Sequence, residues 1–370
     1  MGRQNFGTLS KSDRAKKEKS LKKKAVRVED VTFSEHVNYK DILADNSKLL
    51  LRKERAFSNP VLAYVTPWNN HGYTVAKVAA HKFTHISPVW FQVNSDRQQG
   101  CQLAGLHDLD QNWIENVRKN NSDIKIVPRF LFDKWTPDEL TSFLIDQNEQ
   151  NRCLKIFIDY VKRNRFDGVV LELWSKVFTT SYSADIKRIL TDAVVNIGEY
   201  FQNEKLQFIL VVPPLHPNAD SQMFAAEDFE ILLPFVDYFS VMTYDFPSKA
   251  PSGIAPIGWI NECIESLLSI HKANANGKIF IGLNFYGYEY TKSGVTAITG
   301  NSYLDRLTKQ KPNIQWHEGI GEHFIQEKNR VLFYPTLYSI AIRLNLARNL
   351  GVGVAIWEIG QGLDYFYDLF

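Results

Sequence analysis

From Val61 onward, short runs rich in β-branched and aromatic residues alternate with longer segments whose apolar positions recur every three or four residues. That alternation argues for parallel strands joined by helical crossovers. Strands are expected at residues 61–66, 83–89, 124–130, 169–174, 208–212, 238–243, 279–283 and 352–357. Helices are expected at 110–119, 137–144, 152–163, 183–201, 259–271 and 336–350. In the last of these, Leu337, Ile340, Ala341, Leu344 and Ala347 mark one apolar face, and Gly351 supplies the stop. Eight strands with intervening helices predict an α/β fold closed into a (β/α)8 TIM barrel, rather than a doubly wound sheet of five or six.

A barrel of this kind typically needs roughly 250 residues and tolerates insertions, so one large domain is expected in this 370-residue chain. The link between the last two strands is longer than a crossover. It predicts a small α+β insertion over about residues 288–331, inside a barrel domain of residues 59–370. Residues 1–58 then form a basic arm and extension.

Charge separates that arm from the rest. Between Arg3 and Arg27 stand ten Lys and Arg against Asp13 and Glu18, so the arm carries about +8 and the remainder about −6. Such an arm suits anionic surfaces, or is simply a solvated tail. No apolar run reaches the ~18 residues of a membrane span, and no secretory leader is visible before the basic run. Cys101, Cys153 and Cys263 are too few for a disulfide framework and lack metal-ligand spacing, so buried thiols are expected, with no metal or cofactor. Asn120-Asn121-Ser122 is an acceptable glycosylation sequon.

Candidate chemistry lies at the carboxyl ends of the strands, where barrels carry their sites. In Phe166-Asp167-Gly168-Val169-Val170-Leu171-Glu172-Leu173-Trp174, alternation puts Val170, Glu172 and Trp174 on one side, with Trp174 at the rim. Trp68, Trp90, Trp135 and Trp357 also stand at or beyond strand ends. Aromatic platforms beside carboxylates suit the C–H faces and hydroxyls of sugars. Tyr244, Asp245 and Glu358 complete the expected mouth, with Tyr286 from the seventh strand. Glu358 has an alternative structural partner in Arg129, and Glu172 in Tyr244 or Asp245.

The Phe166-Asp167-Gly168 segment, the Met242-Thr243-Tyr244-Asp245 run and the terminal-strand Trp357 together resemble glycoside hydrolase family 18, the chitinase family, from about Val61 to Phe370. The resemblance implies a carbohydrate-binding cleft of Trp68, Trp90, Trp135, Glu172, Trp174, Tyr244, Asp245, Tyr286, Trp357 and Glu358. Active members carry carboxylates where this chain has Val170, Glu172 and Trp174, the last being the proton donor. Their chemistry leans on that one protein acid, and an indole cannot replace it. The expectation is therefore a non-catalytic chitinase-like lectin for chito-oligosaccharides or other glycans. The resemblance adds lipopolysaccharide, a stabilin-type scavenger receptor, innate immunity and a secreted or lysosomal setting; nucleic acid is not an expected partner. Alternatives are a glycosidase whose relocated acid is Glu172, acting with Asp245 or Glu358, and a protein-interaction scaffold.

Overall fold

The computed structural model describes residues 34–49, 54–96, 98–180, 184–217, 219, 221–248, 250–270 and 275–370. The basic arm lies outside the described residues.

Ten strands precede the insertion: β1 (Val61–Val65), β2 (His85–Pro88), β3 (Phe91–Asp96), β4 (Gly100–Ala104), β5 (Lys125–Ile126), β6 (Arg129–Phe132), β7 (Gly168–Glu172), β8 (Gln207–Val212), β9 (Tyr238–Val241) and β10 (Ile279–Asn284). The insertion supplies β11 (Gly287–Thr291), β12 (Gly294–Ile298), β13 (Ile314–His317), β14 (Glu322–Glu327) and β15 (Arg330–Phe333), and β16 (Gly353–Trp357) follows. Parallel pairing runs β6–β7–β8–β9–β10–β16–β1–β2–β5. The third expected strand is split at Val127-Pro128 into β5 and β6. Across the break Val127 N–H donates to Ile86 O, and Pro128 O accepts from Val170 N–H, which closes the ring. The fold is the expected TIM barrel.

Alternation sorts each strand into two layers. Leu62, Tyr64, Val89, Val127, Val170, Ile209, Val211, Phe280 and Ala355 fill the interior. Their neighbours Val61, Ala63, Val169, Leu171, Leu210 and Ile281 face the surrounding helices. Helix starts follow local chemistry: Thr136 and Glu139 form a capping box around the first turn of the helix Pro137–Ile145, and Thr336 caps Leu337–Leu350, which ends on Gly351 at φ 69°.

Residues 287–333 hold a second, five-stranded antiparallel sheet in the order β12-β11-β15-β14-β13, with the helix Gly300–Gln310 beside it. Glu322 of β14 pins it to the barrel. Its carboxylate accepts from Ile254 and Ala255 N–H and pairs with Arg343 at 3.1 Å, both side chains being buried.

Two features depart from expectation. The second strand continues past Trp90 into the hairpin β3–β4, which the sequence reading ended at residue 89. Phe91 and Val93 alternate with Gln92 and Asn94, and that alternation was the available signal. The cysteines are the second departure: Cys101 of β4 is bonded to Cys153, and only Cys263 is a free buried thiol. The bond ties the hairpin to the helix Gln147–Arg163. Gly100, at φ 87°, permits that approach, since a Cβ there would stand 2.9 Å from Glu149 O.

Candidate functional site

The carboxyl ends of β1, β6, β7, β9, β10 and β16 meet at the mouth. Arg129 and Glu172 are inward positions of neighbouring strands, and Arg129 Nη1 donates to Glu172 Oε2 at 2.7 Å. The guanidinium also stands 5.8 Å from the centre of the Trp357 indole, within cation–π range. Tyr64 meets the same indole edge-on at 5.2 Å, and its hydroxyl bonds Ser240 at 3.0 Å. Glu172 therefore pairs with Arg129 rather than with Tyr244 or Asp245. Arg129, in turn, is not the partner of Glu358.

The second half of the mouth is phenolic. Tyr286 and Tyr288 both donate to the Asp245 carboxylate, and Tyr244 meets Tyr286 edge-on with centres 6.4 Å apart. Asp245 is held at φ 59°, a left-handed conformation that aspartate tolerates better than most residues. Burial raises the Tyr64, Tyr244 and Tyr286 hydroxyls above the ordinary phenol range. Negative neighbours add to this: Glu172 acts on Tyr64 and Tyr244, and Asp245 on Tyr244 and Tyr286. The phenols stay neutral and keep their O–H donors. Tyr288 was missed by sequence reasoning, although Tyr286, just before β11, and Tyr288 and Tyr290 within it recur at period two.

The structure brings Glu172, Tyr244, Asp245, Tyr286 and Trp357 together. Trp68 is exposed, at 48%, on the loop after β1. Trp357 is partly exposed, but Trp90, Trp135 and Trp174 are not open surfaces. Trp174 is fully buried, donates its indole N–H to Met223 O at 2.9 Å and meets Phe224 edge-on at 5.0 Å. The reason is local: β7 ends at Glu172 and Trp174 opens the helix Trp174–Thr180, so strand alternation no longer sets its direction. Trp90 is buried with its N–H on the Tyr73 hydroxyl. Trp135 stacks on Phe132 and donates to Val93 O.

Glu358 is also inside, not facing a ligand. Its carboxylate accepts from the Asn69 amide at 2.7 Å and from Gly360 N–H at 2.9 Å. Burial raises its pKa to about 7, against the opposing pull of these donors. The peptide joining it to Trp357 is cis.

An exposed indole, a second indole with a guanidinium over it, phenolic donors and two carboxylates at one mouth can stack on and hydrogen-bond a polyhydroxylated ligand. Among the described residues no cluster of His, Cys, Asp and Glu is placed to hold a metal, and no helix is long and apolar enough to cross a membrane.

Comparison with known proteins agrees with this layout. A cortical fragment-lytic enzyme of Bacillus anthracis is 21% identical over 232 residues, which cover 55% of this chain. The match takes in 52% of that enzyme, so the chain spans about half the length of this curated relative. A Chromobacterium violaceum chitinase superposes with a TM-score of 0.70 at 16% identity, covering 84% of this chain and 98% of the chitinase. A Cycas revoluta family 18 chitinase, solved in complex with (GlcNAc)3, gives 0.67 at 15% identity, with 84% and 97% covered. The Bacillus megaterium spore cortex-lytic enzyme SleL gives 0.66 at 18% identity, with 84% and 72% covered. The family model for glycosyl hydrolases family 18 matches residues 60–362. The chain belongs to glycosyl hydrolase family 18.

Proposed function

We propose that the protein is a non-hydrolytic glycan-binding member of its family, a lectin that holds chito-oligosaccharides across the barrel mouth. One observation carries the reading. At the end of the fourth barrel strand, where the resemblance puts the proton donor, an indole is buried with its N–H on Met223 O, and the carboxylate before it is paired with Arg129. That carboxylate, Glu172, has one oxygen held by the Arg129 guanidinium at 2.7 Å, so its orientation is set by the ion pair. Asp245 is likewise occupied, accepting from two phenols.

Trp68 and Trp357 provide the stacking faces in this reading, while the Tyr244 hydroxyl and Asp245 Oδ2, the oxygen the two phenols leave open, meet the sugar's polar edge. The saccharide bound by the Cycas chitinase supports a chito-oligosaccharide as ligand. The Cys101–Cys153 bond supports an oxidising compartment, such as the secretory route.

Calorimetry with chito-oligosaccharides tests binding, and a fluorogenic oligosaccharide tests turnover. Saturable heat is expected without sustained hydrolysis. Trp68→Ala should weaken binding about fivefold, the value of one aromatic contact of about 1 kcal/mol, and leave the unfolding midpoint unchanged. Sustained turnover abolished by Glu172→Gln would establish a glycosidase instead, and silence across a glycan panel would leave a scaffold.

A further inference from the structure

We propose that Asn120 carries an N-linked glycan, so that the end of the barrel remote from the mouth is a modified surface. The sequon Asn120-Asn121-Ser122 has no proline at its centre. Its placement makes it usable. Asn120 is the last residue of the helix Gln111–Asn120, and Asn121 has already left helical geometry at φ −151° and ψ 103°. Asn120 and Ser122 are both exposed, so the acceptor amide and the hydroxyl two residues on share an accessible turn.

The amide's own bonding is compatible with the chemistry. Asn120 Nδ2 makes one hydrogen bond, to Lys77 O at 2.8 Å. In the transfer, that nitrogen bonds to the anomeric carbon of an oligosaccharide carried on a polyprenyl diphosphate. The lipid diphosphate leaves, and one amide proton is released. The second amide hydrogen remains to hold Lys77 O. The neighbouring Asn121 differs, since its amide reaches both Ala80 O and Phe83 O and the residue two beyond it is Asp123.

Location agrees with the lectin reading. The sequon precedes β5, at the amino-terminal side of the strands, so a glycan there leaves Trp68 and Trp357 clear. Asn120 stands on the rim of a cavity of about 640 Å3 formed with Phe83, His85, Gln207 and Tyr238. The inference rests on the oxidising compartment proposed above, for which Cys101–Cys153 is the independent marker.

The test directs the full chain into the endoplasmic reticulum of cultured eukaryotic cells behind a cleavable leader. Peptide mapping with and without glycan-removing amidase then reads both features. Most chains should carry a glycan at Asn120, converted to aspartate by the amidase. Ser122→Ala should abolish it and Ser122→Thr retain it, both with unchanged unfolding midpoints. Secreted protein containing the Cys101–Cys153 bond but bare at Asn120 would overturn this inference and leave the compartment reading intact. Bare Asn120 with free Cys101 and Cys153 would overturn both.

Discussion

At the scale of single residues, two tryptophans at strand ends have opposite fates. Trp68 stands in solvent, whereas Trp174 is enclosed by Phe178 and Phe224 with its N–H satisfied. Trp174→Ala should therefore cost about 3–5 kcal/mol of stability, the usual range for emptying an aromatic core site, seen as a lower denaturant midpoint. Saccharide affinity measured well below that midpoint should change far less than in Trp68→Ala. Sequence alone could not separate the two. An indole just past a strand has the same signature whether it turns to the mouth or to the helices, because the element that follows sets its direction. Glu172 was legible, since it lies within β7 where alternation still holds. Its partner was not, because pairing with Arg129 depends on the register of β6 against β7.

At the scale of elements, periodic segments were readable and short polar ones were not. The helix Leu337–Leu350 lies within two residues of its expected bounds, and β1, β8 and β10 are displaced by one residue at most. The hairpin β3–β4 was missed because its strands carry Gln92, Asn94, Ser95 and Gln102, which resemble loop composition. Three cysteines gave no count from which to infer a bond, yet the hairpin brings two of them together. Closing a loop of 52 residues should stabilise the fold by up to about 4 kcal/mol on the loop-entropy relation. Reduction, or the Cys101→Ala/Cys153→Ala pair, should lower the unfolding free energy by roughly 2–4 kcal/mol. An unchanged denaturation midpoint would show that β4 does not depend on the bond.

Across the whole molecule, two buried ionisable groups act in opposite directions with pH. Burial raises Glu358 to about 7 from 4.5, so the folded state retains a proton that the unfolded chain releases. Its contribution is full below about pH 4.5 and falls as pH rises through 7, by roughly 3 kcal/mol. His85 is the reverse. Burial lowers it to about 4 from 6.5, opposed by the Gln207 amide beside it. Its contribution is full above about pH 6.5 and is lost as pH falls through 4, by a similar amount. Between about pH 4.5 and 6.5 the two slopes cancel. Glu358→Gln should expose a stability that rises with pH across that window, and His85→Asn one that falls, both measured by denaturant titration. Parallel profiles for the two variants and the parent would refute the assignment.

Ring closure also has a consequence in time. β1 is completed only when β16 arrives, since Val61 lies beside Val354, 293 positions later in the chain. At a synthesis rate of roughly 5–20 residues per second, the open edge of β1 waits on the order of 15–60 s at the ribosome. During that interval Leu62 and Tyr64 have no finished interior to enter, and an unpaired strand edge invites association with other chains. Newborn copies of this barrel therefore have a long vulnerable period that the mature ring does not reveal.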